Sequence, residues 1–423
     1  MEDYKEVVKD LKLRGWDSKP FDRMLSIRDE ARGDLLPFLK LCLTEVPKGG
    51  TFVDAAFSYI SEEEFKELIS YAISESKNHG WTDVISSVID YASLQFPRLL
   101  TDHLPGLLES RSNTYYEKWA WRKADDELVD QLCDIICSND RRKNDAWECL
   151  VNIRNESAIL KAHELFEKGC PRPQIGFDTY SMESGFLVRD GKSRRLTQDN
   201  TYHIIFDDEY LTELDQGVAD SVNYAALSKR NHPTWTLKGG DYKAYKFGGV
   251  SESACGCCGD GLHHLLEIPD NLLANSGPIS LSTCLSCLGW EEDQLFYKHD
   301  SAGNPTPLKV NDDKCDPEFK AVPLRRAEVK IVRTPERWKL QDWGLSNSRE
   351  NLNRILGSPT WIQGAEYPSC PTCNETMAFC AQLDSGLLLE DEDDEEWLWG
   401  SGGICYILWC SSCNVSGMFW QCT

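Results

Sequence analysis

The first 168 residues carry a hydrophobic pattern with the period of an α-helix. Apolar residues recur at steps of three and four, so each set falls on one face of a predicted helix. Four such faces are Phe65, Leu68, Ile69, Ala72 and Ile73; Val84, Ile85, Val88, Ile89 and Ala92; Leu128, Val129, Leu132, Ile135 and Ile136; and Ala158, Ile159, Ala162, Leu165 and Phe166. Ser61 and Glu64 form the Ser-x-x-Glu pattern of a capping box, which predicts a helix directly after Ser61.

About eight to ten helices of roughly 10 to 18 residues, joined by short polar turns, favour stacked helix pairs of the HEAT type. A compact helical bundle is the alternative, because no clear sequence repeat is visible. We therefore predict an N-terminal helical-repeat-like domain over residues 1–169. Cys133, Cys137 and Cys149 lie on its helical faces and are predicted to be buried small hydrophobic residues.

From about residue 170 the pattern changes to short β-branched and aromatic runs separated by Gly, Pro, Asn and Asp. Such runs predict strands. The predicted strands are Gly185–Val188, followed by an Asp-Gly turn, then Tyr202–Phe206, Ala327–Val332 and Ile404–Trp409. A short helix is predicted at Ser348–Leu356. The chain is thus an α+β multidomain protein with a β-rich domain over residues 170–423.

Eight cysteines of this second domain fall into pairs with two residues between the members of each pair. Two cysteines at this spacing direct both sulfurs at one ion, and two pairs supply the four thiolates that Zn²⁺ prefers. The pairs form two predicted zinc sites, Cys255, Cys258, Cys284 and Cys287, and Cys370, Cys373, Cys410 and Cys413. Four thiolates leave no open position for water, so both sites are predicted to be structural.

The first of these sites leaves an ambiguity. Cys257 lies inside the first pair and remains a free thiol or a neighbour of the ligands, because the spacing favours Cys255 and Cys258. His263 and His264 follow closely and are alternative ligands. The sequence alone does not assign a role to these three residues.

Charge and length restrict the kind of partner and the compartment. The 423 residues include 69 acidic and 45 basic ones, a net charge of −24, which repels nucleic acid and attracts basic proteins. Solubility alone is the other interpretation of that charge. Neither an apolar leader nor a membrane-length apolar run is visible, so we expect a cytoplasmic protein without a membrane partner. The chain has eighteen cysteines, and the arrangement of eight of them in C-x-x-C pairs also fits a reducing compartment.

Catalytic motifs are scarce. The sequence contains no Gly-rich phosphate loop ending in Lys-Ser/Thr and no Gly-x-Ser-x-Gly nucleophile turn. His203 and His232, in the β-rich part, are predicted to be hydrogen-bonded structural residues. The acidic run Glu390–Glu396 is predicted to be an exposed loop, because seven like charges repel one another. It is either a solvated insertion or a docking site for a basic surface.

The C-terminal part resembles the YwqG-like family, a bacterial group of uncharacterised function often associated with toxin loci. Three motifs carry the resemblance: Leu356-Gly-Ser-Pro-Thr-Trp-Ile-Gln363, Gln382-Leu-Asp-Ser385 and Trp399-Gly-Ser-Gly-Gly403. Ser358 and Ser401 depart from the family pattern, which has glycine and aspartate there. The resemblance spans roughly residues 170–423, is carried by positions after 350, and implies no catalytic residue.

These observations lead to one functional hypothesis and one alternative. The hypothesis is a zinc-stabilised protein-binding protein, with an immunity or antitoxin-like protein that neutralises a basic toxin domain as its specific form. The toxin association comes from the family resemblance and not from the residues. The alternative is a hydrolase or transferase that uses a cleft in the β-rich domain.

Overall fold

The structure is a computed structural model of the 423-residue chain. It describes residues 3–14, 19–46, 53, 56–110, 115–138, 140–171, 173, 175–207, 210, 232–269, 272–273, 277–346, 350–390 and 395–423.

The described N-terminal residues are helical, as predicted. The α-helices are α1 Tyr4–Arg14, α2 Pro20–Glu30, α3 Leu35–Glu45, α4 Glu62–His79, α5 Asp83–Gln95, α6 Leu104–Ser110, α7 Tyr115–Ala120, α8 Asp126–Cys137, α9 Lys143–Asn152, α10 Glu156–Glu167, α11 Phe177–Glu183 and α12 Pro233–Leu237. Short 3₁₀ helices lie at Arg32–Asp34, Pro97–His103, Trp121–Lys123, Glu336–Trp338 and Trp343–Leu345.

The helix signals in the sequence have the expected physical effect. Ser61 caps α4: its hydroxyl accepts the Glu64 N–H, and the Glu64 carboxylate accepts the Ser61 N–H at 2.7 Å. The predicted apolar faces of α4, α5, α8 and α10 point into one continuous core. Cys149 is buried there as predicted, but Cys137 is exposed at the end of α8, so the prediction for Cys137 was wrong.

The regular elements in the remaining described residues are mainly strands. These are β1 Phe186–Arg189, β2 Lys192–Arg195, β3 Thr201–Phe206, β4 Ala244–Phe247, β5 Val250–Ala254, β6 Gly261–Ile268, β7 Ile279–Thr283, β8 Leu295–His299, β9 Pro305–Pro307, β10 Ala327–Arg333, β11 Arg354–Leu356, β12 Ala378–Asp384, β13 Leu387–Leu388, β14 Glu396–Trp397, β15 Ile404–Cys410 and β16 Val415–Gln421. The α+β layout is therefore confirmed.

Twelve of the described strands form one sheet. Its order is β5-β6-β4-β10-β3-β11-β12-β15-β16-β8-β9, with β7 also paired to β6. The ladders between these strands are antiparallel, and β15 with β16 forms a regular seven-residue ladder from Ile404↔Gln421 to Cys410↔Val415. All seven residues of β15 are buried, which explains its continuous apolar sequence.

Two features differ from the simplest reading of the sequence. The predicted helix Ser348–Leu356 was wrong for its described end, because Arg354–Leu356 is a strand between β3 and β12. The hairpin β1–β2 packs on the helices: Phe186 and Val188 of β1 belong to the helical core together with Phe177 of α11. The predicted domain boundary at residue 170 stays a prediction. Apolar side chains from both sides of this boundary belong to one core.

The acidic run lies in the loop of a small hairpin. β13 pairs with β14 through Leu387↔Trp397 and Leu388↔Glu396, and the run connects them. Residues 391–394 of the run lie outside the described residues. At its base the Glu390 carboxylate is 3.1 Å from the Arg326 guanidinium, and both Glu395 and Glu396 are exposed.

Candidate metal centres

The first cysteine cluster is assembled by three adjacent strands. Cys255 and Cys258 occupy the turn between β5 and β6, and Cys284 and Cys287 directly follow β7. Because β6 is antiparallel to both β5 and β7, the end of β5, the start of β6 and the end of β7 meet at one edge of the sheet. Two cysteine pairs that are 26 positions apart in sequence, from Cys258 to Cys284, thus become neighbours.

The four sulfurs have the spacing of a tetrahedral site. They all lie within 4.8 Å of one another. Cys255 Sγ is 3.9 Å from Cys287 Sγ, and Cys258 Sγ is 3.7 Å from Cys284 Sγ. A tetrahedron with metal–sulfur bonds of ~2.3 Å has edges of about 3.8 Å. The donor set therefore fits one thiophilic metal ion.

The second cluster lies where β15 ends and β16 begins. Cys410 ends β15, Cys413 lies in the turn to β16, and the Cys370–Cys373 turn precedes β12. Its four sulfurs are also mutually within 4.8 Å, and Cys373 Sγ is 3.7 Å from Cys410 Sγ. Cys370 and Cys410 are buried in a separate small apolar core. This cluster fits a second ion of the same kind.

The backbone of the cysteine turns explains why particular residues follow them. Gly259, Asn374 and Asn414 each come directly after the second cysteine of a pair, and each has a left-handed backbone with φ of +88°, +60° and +51°. Gly and Asn adopt this conformation most readily. The reversal lets the chain return into a strand: the Asn374 N–H donates to Cys370 O at 2.8 Å.

One thiol in each cluster has a pKa below its ordinary value, whereas the pKa is raised for Cys258, Cys284, Cys287, Cys410 and Cys413. Hydrogen bonds from the thiols of Cys284 and Cys287 hold the Cys255 pKa far below its ordinary value. Burial opposes ionisation of Cys370, but the N–H groups of Cys373 and Thr372 outweigh it and lower its pKa to about 7. Thiolate is the form that binds metal, so these hydrogen bonds favour the metal-binding form of Cys255 and Cys370.

The two neighbouring histidines have other partners. His263 Nδ1 accepts the Leu285 N–H at 3.1 Å, and its Nε2 lies 3.2 Å from Ala321 O. His264 Nδ1 lies 3.0 Å from Ser280 Oγ. Neither joins a metal-ligating group among the described residues. His263 instead supports the backbone of the second cysteine pair.

One cysteine that the sequence analysis missed lies at the first cluster. Cys315 Sγ is 3.4 Å from Cys257 Sγ, and Cys257, Cys287 and Cys315 form a third group of sulfurs within 4.8 Å of one another. Cys315 is not part of a C-x-x-C pair, so spacing alone does not reveal it. The feature of the sequence that could have indicated a further ligand is Cys257, which the spacing of the pairs leaves without a role.

A cavity of about 420 Å³ lies between the helices and the sheet. Its lining combines charged and aromatic side chains from both parts: Lys118, Trp119, Glu148, Arg154, Glu183, Asp342, Trp343, Arg354 and Trp361. The described lining residues include no histidine and no cysteine. The cleft of the enzyme alternative was expected in the β-rich part alone, whereas this cavity takes much of its wall from the helices.

His203 lies behind this cavity and is structural, as predicted. Its Nδ1 is 2.8 Å from Thr334 Oγ1, and its Nε2 is 3.2 Å from Gln341 Oε1. Burial lowers its pKa to about 3, so the ring is neutral. Through these two contacts the neutral His203 ring links β3 to the loop that follows β10.

Comparisons with known proteins add one relative. No protein-family model matches this chain. No solved structure matches it. An uncharacterized protein, YpfL of Salmonella typhimurium, is 27% identical over 401 residues, which is 88% of this chain and 80% of that protein. In the described part of the chain, no helix is long and apolar enough to cross a membrane.

Proposed function

We propose that this chain is a zinc-stabilised protein-binding protein of the bacterial cytoplasm. The observation that carries the proposal is the pair of closed four-cysteine clusters. Four thiolates complete the tetrahedral shell of Zn²⁺ and leave no exchangeable position, which is typical of structural zinc. Zinc is the natural occupant in a reducing compartment, because thiolate ligands in a tetrahedron suit it better than harder cations.

The partner is a basic protein surface. A net charge of −24 creates a long-range field that accelerates encounter with a cationic partner and disfavours nucleic acid. The specific form of the proposal is an immunity or antitoxin-like protein that neutralises a basic toxin domain. The helical part, proposed to be a HEAT-like array, offers the extended surface.

Membership of the YwqG-like family is part of the same proposal, and the contacts of the motif residues support a shared structural core. Gln382 Oε1 accepts the Thr360 N–H at 2.8 Å, and Gln382 Nε2 donates to Leu352 O at 2.8 Å. The Ser385 hydroxyl donates to Gly403 O at 2.8 Å and accepts the Trp399 N–H at 2.9 Å. These contacts connect loops to the sheet.

The test is a binding measurement with a basic toxin domain encoded beside the gene. The full-length protein should bind that domain and restore growth of cells that express it. The control is a variant in which the residues of the acidic run, Glu390–Glu396, are replaced by Gln and Asn, which keeps length and removes charge. Metal analysis of the same sample should give zinc. Zinc-free folded protein would contradict the structural half of the proposal.

The enzyme alternative is favoured by one observation, the cavity between helices and sheet. The Arg354 guanidinium is fully buried in its wall, and Glu350 is buried nearby. Burial raises the pKa of the Glu350 carboxyl group to about 7. A carboxyl group near neutrality is a candidate proton carrier. Turnover of a small molecule by the purified protein, lost in Glu350→Gln, would favour this alternative.

A further inference from the structure

The first metal centre contains more sulfur than one tetrahedral ion takes. Besides its four predicted ligands, Cys257 and Cys315 lie against it, with their sulfurs 3.4 Å apart. Cys287 Sγ lies within 4.8 Å of both and also belongs to the four-cysteine cluster. One thiol is therefore common to two groups, each compact enough to hold an ion.

The position of Cys315 is determined by main-chain contacts. The segment 311–315 runs along the Cys255–Cys258 turn: the Asn311 N–H donates to Gly256 O at 2.9 Å, and the Cys315 N–H donates to Cys257 O at 3.2 Å. Lys314 Nζ also donates to Gly256 O at 2.9 Å. The backbone thus holds Cys315 beside Cys257 whatever rotamer the side chain adopts.

The surroundings suit an excess of thiolate charge. Two divalent ions with six thiolates carry a net charge of −2. The Asn311 amide points its Nδ2 at Cys257 Sγ at 3.5 Å, and the Lys314 ammonium lies at the same turn. Cys257 is buried and Cys287 is fully buried, whereas Cys315 is partly exposed and gives an entry path. Buried thiolates need such compensation.

We propose that Cys257, Cys287 and Cys315 bind a second metal ion that shares the Cys287 thiolate with the first. This inference rests on the proposed metal-binding function of the four-cysteine cluster. The ion is a thiophilic divalent cation, with Zn²⁺ as the cellular occupant. Three protein thiolates leave its fourth position for water or a small ligand. A cavity of about 260 Å³ is lined partly by Cys257 and Asn311.

The experiment counts ions and detects the shared sulfur. Full-length protein is purified under reducing conditions, and metal per chain is measured by mass spectrometry. We expect about three ions, one from the second cluster and two from the first. After exchange with NMR-active cadmium, two of three signals should show scalar coupling through the shared thiolate. The third signal, from the Cys370 cluster, should be uncoupled and serves as the internal reference.

Variants assign the extra ion. Cys315→Ser should lose one ion and the coupling, and retain two uncoupled signals. Cys422→Ser, which changes a partly buried thiol outside the clusters, should retain all three ions. If Cys315→Ser does not fold, the coupling in the unaltered protein still decides.

Each other result overturns the inference. Two ions per chain with no coupling would refute the shared site and leave the proposed structural zinc intact. A Cys257–Cys315 disulfide in reduced preparations, seen as a two-dalton mass loss, would also refute it. A folded protein without metal would refute both proposals together.

Discussion

Removing one ligand of the second cluster should destabilise the C-terminal sheet strongly. Cys370 is 1% exposed and packs with Met377, Phe379 and Leu408. Structural zinc sites contribute about 10–16 kcal/mol, of the order of a domain's entire stability. If one thiolate of four carries a quarter of this, Cys370→Ala costs ~2.5–4 kcal/mol. For a domain of this size, that is a melting temperature lower by roughly 5–16 °C.

The assay compares Cys370→Ala with Cys380→Ala. Cys380 is equally buried, in β12, but lies outside both clusters among the described residues. Its truncation leaves only a small cavity, which costs about 1 kcal/mol. Thermal unfolding and metal content are measured on both variants, and on unaltered protein treated with a strong chelator. If Cys370→Ala melts like Cys380→Ala and retains all of its metal, the reasoning about the second cluster is wrong.

Three further outcomes follow from the charges and burial. The association rate with a basic partner should fall at least several-fold from low to high salt, because the field of the −24 chain is screened over ~8 Å at physiological salt. An association rate that does not change with salt in stopped-flow mixing would assign the charge to solubility alone. Replacing Glu390–Glu396 by a Gly/Ser linker should leave the melting curve and the zinc content unchanged, because unpaired acidic side chains are not buried. If the loop docks the partner, the same replacement should slow association. A large drop in melting temperature would mean that the loop is part of the fold, through contacts such as that of Glu390 with Arg326. Burial raises the pKa of Glu350 from 4.5 to about 7, so the folded state holds this proton more tightly than the unfolded chain does. The contribution of the protonated Glu350 to the free energy of unfolding is therefore complete below about pH 4.5 and is lost as the pH rises through 7. Relative to Glu350→Gln, the unaltered protein should therefore lose up to about 3 kcal/mol of unfolding free energy over that window, and parallel pH profiles in urea titrations would contradict this.

Local signals in the sequence predicted much of the architecture. The capping box at Ser61 and the apolar face of α4 need only neighbouring residues, so the sequence pattern was sufficient. The Asp-Gly turn between β1 and β2 is another local signal: Asp190 and Gly191 both have positive φ, as predicted for a tight hairpin. The segment at 354–356 was different, because its state depends on pairing with β3 and β12.

The sequence by itself determined the eight cysteines of the two four-cysteine clusters, because two sulfurs three residues apart converge through a single turn of backbone. The Gly and Asn residues that reverse the chain after these turns are likewise local. Only the tertiary structure decided which turns share a cluster with Cys315, and that His263 supports a backbone amide. Those contacts depend on strand order in the sheet and on a segment 58 residues away from Cys257. The periodicity of a sequence does not predict such long-range contacts, because they form only when distant strands pair and bury their shared face.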